Sequence, residues 1–303
     1  MTAADEPATI AWGGTRATVD PIGATLTGLW LGDESILAGP GRVAPALGHH
    51  GAVLTPWPNR LADGRYEFAG RAYQLPINDP AYGHALHGLA FDQLWALERR
   101  STSSVSFGHT VGGVDGYPFL VRVTVTYTVT ATGLHCDAAW VNIGDRIAPF
   151  GIGFHPYFRP GPSPLTDWIL KLTAPSYLET DPLSALPTRW RLVDNSGLDF
   201  REGRALGPDR FSVAYAVAPT EDAGDVTLSD PAGLTLTIRT SPAFRWVQVF
   251  SGDLPSKHLT RTGVGIEPQT CPPNAFVTGT DLIVLQPDEY GSGTWSVDGA
   301  PSD

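Results

Sequence analysis

Four short segments of this 303-residue chain set polar side chains among glycines, prolines and aromatics, the setting in which acid–base groups can be held rigid. The first, Gly51-Ala-Val-Leu-Thr-Pro-Trp-Pro-Asn-Arg60-Leu-Ala-Asp-Gly64, carries Pro56 and Pro58, which preclude a central strand and leave a stiff loop presenting Asn59 and Arg60. The second is His84-Ala-Leu-His87-Gly88, and the third is Gly151-Ile-Gly-Phe-His155-Pro-Tyr-Phe158. The fourth, Gly263-Val-Gly-Ile-Glu267-Pro-Gln-Thr-Cys-Pro-Pro-Asn-Ala-Phe276, places one carboxylate in a neutral run. Carboxylates and imidazoles can exchange protons and an arginine fork can donate several hydrogen bonds, so these residue types could do chemistry if brought together. Each residue also has a plain reading. Glu267 suits a strand end at the surface, His155 a hydrogen-bonded core, Arg60 a surface ion pair and His87 a turn cap. His49, His50, His84, His109, His135 and His258 read as structural or solvated.

Two other chemistries find little support. His84 and His87 are three apart, so on a strand they point to opposite faces and cannot share an ion. His49-His50 has the same parity problem, no dense carboxylate loop for calcium occurs, and only His87, His155 and Glu267 together remain as a conceivable metal set. The expectation is no metal. No G-x-S-x-G elbow is present for a Ser/His/Asp nucleophile. Cys136 and Cys271 lack metal-type spacing and read as two buried, reduced thiols.

The elements that must position these residues are strands. Gly and Pro make up one residue in five, against 2 Lys, 9 Glu and 1 Met, so turn formers abound and strong helix formers are scarce. Val121-Arg-Val-Thr-Val-Thr-Tyr-Thr-Val129 alternates with a period of two, and Leu134 to Ile143 reads as its return strand. Arg65 to Phe68 and Arg71 to Leu75 make a second hairpin about Ala69-Gly70, where Gly70 supplies positive φ. Leu234 to Ile238 and Phe244 to Phe250 are expected to form a third pair, and Asp298 to Asp303 a frayed tail. The fold class expected is all-β, with extended sheets packed face to face. The net charge of -11 excludes a general phosphate-backbone binder. No run of 18 apolar residues suggests a membrane span, and the start lacks the pattern of an export signal, so a cytoplasmic location is expected.

Taken together and in order, Pro56-Trp-Pro-Asn-Arg-Leu-Ala-Asp-Gly64, Leu86-His-Gly88, His155-Pro-Tyr-Phe158 and Ile266-Glu-Pro-Gln-Thr-Cys-Pro-Pro-Asn-Ala-Phe276 resemble the aldose 1-epimerases, or galactose mutarotases. Asp115-Gly-Tyr-Pro118 and the hairpin after it fit the same pattern. The resemblance implies one domain over residues 1–303, a large antiparallel β-sandwich with a sugar cleft on one face. It also implies a cofactor-free enzyme, monomer or homodimer, whose partner is a small monosaccharide. By position, Glu267 matches the family's general base, His155 its general acid, His87 the second active-site histidine and Arg60 the arginine on sugar hydroxyls. Mutarotation needs the C1 hydroxyl deprotonated while the ring oxygen is protonated, which an ionised Glu267 and a protonated His155 would do. Asn59 stands beside Arg60, and Trp57, Tyr157 or Trp246 can wall a sugar face. Members of the family commonly carry an Asp in a Leu-Asp-x-x-Phe segment. The corresponding stretch here is Phe211-Ser212-Val-Ala-Tyr215, with Ser212 at the Asp position and Asp209 three residues earlier. Two alternatives keep the fold. One is a hexose phosphate substrate held by Arg65, Arg71, Arg159 or Arg261, and the other a non-catalytic sugar-binding protein.

Overall fold

The computed structural model describes residues 6–217 and 225–302. Two large antiparallel sheets dominate. The larger has nine strands in the order Ala96–Arg100, Ser104–Val114, Tyr117–Val129, Gly133–Asn142, Tyr290–Pro301, Leu234–Thr240, Val226–Ser229, Ile169–Leu172 and Arg204–Ala205. The smaller runs Pro187–Leu192, Ser176–Thr180, Ser212–Ala216, Trp246–Phe250, Val264–Gln269, Gly153–Phe154 and Val53–Leu54, with Tyr157–Phe158 also paired to Val264–Gln269. One hydrophobic cluster joins the two, so the class is an all-β sandwich. The single α-helix among the described residues, Ala275–Thr278, spans four residues.

The period-two reading holds in the large sheet. Along Tyr117–Val129 the buried residues are Tyr117, Phe119, Val121, Val123, Val125, Tyr127 and Val129, while the Arg and Thr between them stay partly exposed. Thr124 faces Ala139 across the return strand Gly133–Asn142. The Arg65–Phe68 and Arg71–Gln74 hairpin also forms, its turn made by Ala69 (φ 49) and Gly70 (φ 74), the left-handed pair a tight hairpin turn needs.

Two expectations are corrected. Leu234–Thr240 and Trp246–Phe250 do not pair: the first joins the nine-stranded sheet and the second the smaller one. The turn between them drives Phe244 into the core against Phe154, and this carries the chain from one layer to the other. Residues 298–301 are not a frayed tail but the end of Tyr290–Pro301. Asp298 lies opposite both Gly133 and Thr237, and its carboxylate accepts hydrogen bonds from Thr132 (2.8 Å) and Arg239 (2.9 Å).

Register in the smaller sheet creates the site. Residues directly opposite across antiparallel strands share a face. Glu267, Gln248, Ala214 and Leu178 are opposite one another in succession, so they share one face. Ile266, Val249, Val247, Val213 and Tyr215 occupy the other and enter the common core. All six residues of Val264–Gln269 are buried, which marks a strand covered on both sides. Its outer cover is the group of loops bearing the histidines and Arg60.

Candidate active site

Glu267 sits at the centre of the smaller sheet, 2% exposed, and its Oε2 accepts a hydrogen bond from Gln269 Nε2 at 3.0 Å. His155 follows the next strand, Gly153–Phe154. Its backbone N–H donates to Ala52 O (3.0 Å) and its carbonyl accepts from Gly51 N–H (2.8 Å). Gly51 is required there: its φ is 72°, and a Cβ would lie 1.9 Å from the Leu26 carbonyl oxygen. The Tyr157 ring stacks on the His155 ring at 5.0 Å and 13°. These restraints hold His155 Nε2 3.4 Å from Glu267 Oε1.

The outer wall comes from the proline loop and the His87 segment. His87 N–H donates to Asn59 O at 2.9 Å, and Asn59 N–H donates to His87 Nδ1 at 3.2 Å. Because Nδ1 accepts, a neutral His87 ring carries its proton on Nε2 and presents a donor. Both residues adopt left-handed backbone, φ 58 for Asn59 and φ 63 for His87. Arg60 pairs in register with Leu86, and its Nε donates to Asp79 Oδ2 at 2.8 Å. Its guanidinium lies 4.7 Å from the Tyr82 ring centroid, so the fork is anchored by charge and by an aromatic face.

These groups surround a cleft of about 440 Å³, which Glu267, His155, His87, Arg60, Asn59, Tyr157 and Ser212 all line. A space of this size suits one monosaccharide. Three expected contacts fall outside it. Trp57 is 3% exposed and packs edge-on against Phe276. Trp246 is 1% exposed, its indole N–H donating to Asp281 Oδ2 (2.9 Å) and its ring against Trp190. Large aromatics have most to gain from burial, and both joined the core. Asp209 is exposed on the surface, and its backbone carbonyl accepts a hydrogen bond from Arg261. It does not stand in for the missing carboxylate. Arg60 is the one arginine or lysine among the cleft residues; Arg65, Arg71 and Arg159 lie elsewhere, and Arg261 reaches the cleft's Asp253 (3.5 Å) without lining the space itself.

Sequence reasoning missed His49, Asp79, Gln248 and Asp253, which also line the cleft. Gln248 is 3% exposed and donates to Ser212 Oγ at 2.8 Å, filling the place beside Ser212 with a neutral amide. The ladder position opposite Glu267 was the available sign for Gln248, and it needed the register. His49, read as structural or solvated, lies in a left-handed turn (φ 55) and lines the cleft.

Burial controls the electrostatics. Desolvation pushes the Glu267 carboxyl up to about 8, opposed by the Gln269 hydrogen bond and the Arg60 charge. Desolvation, with His49 and His50 adding to it, holds His155 well below the ordinary imidazole range. His87 is depressed in the same way, and His49 and His50 are lowered to about 4. Both shifts run against the expected ionised glutamate facing an imidazolium. The pair is neutral and holds one proton, on Glu267, because a low-dielectric pocket disfavours both charges. Among the described residues, no group of three or more His, Cys, Asp or Glu is arranged to hold a metal ion. Cys136 and Cys271 are both free and buried.

A β-sandwich with a Glu–His pair beside a cleft of this size is compatible with a carbohydrate isomerase of the mutarotase type. The sequence pattern described as aldose 1-epimerase matches residues 8–296, and the chain belongs to that family, isomerases of the racemase and epimerase class. It is 33% identical over 288 residues to an Escherichia coli K12 protein described as "Uncharacterized protein YihR", covering 94% of this chain and 91% of that one. An aldose 1-epimerase of Haemophilus influenzae is 28% identical over 231 residues, 70% of this chain and 66% of the relative. Among solved structures, a Caenorhabditis elegans aldose epimerase homologue superposes with a TM-score of 0.88 at 21% identity, covering 98% of this chain and 99% of that one. A putative aldose 1-epimerase from E. coli K12 gives a TM-score of 0.84 at 24% identity over the same shares. These two share the fold.

Proposed function

We propose that this protein interconverts the α and β anomers of free, unphosphorylated hexoses such as glucose or galactose. The observation that carries the reading is the 3.4 Å approach of His155 Nε2 to Glu267 Oε1 at the floor of a monosaccharide-sized cleft. Ring opening removes the proton from O1 and delivers one to O5, so a pair that shares one proton can do both without net exchange with solvent. With the proton on His155, the Glu267 carboxylate takes the O1 proton as C1 becomes a carbonyl. His155 gives its proton to O5 as the C1–O5 bond breaks. Rotation about C1–C2 and reversal of both transfers close the ring on the other face. Sugar hydroxyls hydrogen-bonded to the pair stabilise its charged form, and this favours moving the proton from Glu267 to His155. His87 Nε2–H steadies charge near O5, and Arg60 orients vicinal hydroxyls from its anchor on Asp79.

Unphosphorylated sugar is the reading adopted because a phosphate asks for several cationic donors and Arg60 is the one arginine or lysine among the cleft's lining residues. The test is polarimetry on freshly dissolved α-glucose and α-galactose. Protein speeds the decay of rotation to the same final value, and Glu267→Gln or His155→Asn each reduces the acceleration by about 10²–10⁴-fold. Wild-type rates in both variants would remove the pair from the mechanism. Acceleration of glucose 6-phosphate alone would move the reading to phosphorylated sugars.

A further inference from the structure

The order of atoms around a pyranose can be matched to the order of elements beneath the cleft. Val264–Gln269, bearing Glu267, lies between the strand of Gln248 on one side and that leading to His155 on the other. With O1 at Glu267 and O5 at His155, C2 falls toward Gln248. C5 and its exocyclic C6 then fall on the far side of His155. Two imidazoles lie beside His155 in the cleft. The His87 ring centroid is 5.1 Å from that of His155, and the His49 centroid is 4.7 Å from His87 and 6.4 Å from His155.

His87 already has its role and its tautomer. His49 has none in the acid–base scheme. It lines the cleft with its ring against the edges of His87 and Phe91, and among the described residues its nitrogens have no hydrogen-bond partner. Its backbone is secured: its N–H donates to Pro45 O at 3.3 Å, and its carbonyl accepts from Ala52 N–H at 3.0 Å. The Ala52 carbonyl is the one that holds His155, so the two imidazoles hang from one short segment.

We propose that His49 is a substrate-contacting, specificity-determining residue that hydrogen-bonds the C6 hydroxyl of the hexose. The inference rests on the epimerase reading above and deepens it. A neutral imidazole offers one donor and one acceptor, the complement of a hydroxyl, which also has both. A pentose or a 6-deoxyhexose leaves that half-buried imidazole without its partner, which costs about tenfold in kcat/KM.

The test compares kcat/KM for glucose, 6-deoxyglucose and xylose in the wild type, His49→Ala and His49→Gln. Thermal melts establish that each variant is folded. In the wild type, glucose leads the other two by about tenfold. In His49→Ala the lead collapses toward unity, chiefly through loss with glucose, and His49→Gln, whose amide keeps a donor and an acceptor, retains part of it. If His49→Ala slows all three sugars by one common factor, His49 merely packs against His87 and the proposal is overturned. An unchanged glucose preference in both variants overturns it as well. If the wild type accelerates none of the three sugars, the epimerase reading itself fails and takes this inference with it.

Discussion

At the residue scale, the account turns on one proton held between two buried groups. Glu267, at about 8, keeps that proton through neutral pH, and burial prevents His155 from taking a second until well below the ordinary imidazole range. Activity should therefore persist into mildly acidic solution and fall as pH rises past about 8, where the pair loses its last proton. A pH–rate profile whose only limb is a loss of activity on acidification near 6.5 would contradict this assignment. The same shift bears on stability. The folded value lies above the ordinary 4.5, so the contribution of Glu267 is fully present below pH 4.5 and is lost as pH rises through about 8. Glu267→Gln, which does not titrate, should gain melting temperature relative to wild type between pH 5 and 8 while losing activity. Equal melting temperatures of the two proteins at pH 8 would argue against a costly buried carboxyl. The segments bearing Glu267, His155, His87 and Arg60 were legible in the sequence because prolines, glycines and aromatics mark them, while the roles of the four residues came from the family resemblance. The protonation state was not legible, because it depends on burial that only packing reveals. Trp57 and Trp246 misled for a related reason, since aromatic type alone does not say whether a ring walls a cleft or fills a core.

At the scale of elements, the floor of the site is rigid because its strand is covered on both faces, and the walls are rigid because loops are tied to one another. The Gly51–Ala52 segment secures both His49 and His155, and Gly51 has no room for a side chain. Gly51→Ala should therefore displace His155 as well as destabilise the fold. The expected result is a loss of kcat at a temperature where the variant remains folded by circular dichroism; an unaltered kcat in folded protein would mean the anchor is dispensable. The Tyr117–Val129 hairpin could be read from alternation, and the Ala69-Gly70 turn from its glycine, because both are local in sequence. The partner of Leu234–Thr240 could not. The chain crosses between layers near Phe244, and a sheet change is decided by which core the aromatic enters. Register hid Gln248 in the same way, since its place opposite Glu267 depends on a pairing of strands distant in sequence.

At the scale of the whole molecule, two sheets sharing one hydrophobic cluster explain how a chain of few helix formers holds an acid and a base to a fixed separation. No helix among the described residues is long and apolar enough to cross a membrane. The end of Tyr290–Pro301 is clamped between Gly133–Asn142 and Leu234–Thr240, although its Gly, Pro and Ser content resembles a loose terminus. Removing residues 298–303 should lower the melting temperature by several degrees, given about 2–4 °C per kcal/mol for chains of this class. No change would mean those pairings contribute nothing to stability. The most direct test of the central claim, that Glu267 and His155 together open and close a free hexose ring, is NMR saturation transfer between the two anomeric protons of glucose at equilibrium. With wild-type protein, saturating one anomer should deplete the other. With Glu267→Gln or His155→Asn the transfer should fall to the protein-free level. Undiminished transfer in both folded variants would contradict the account.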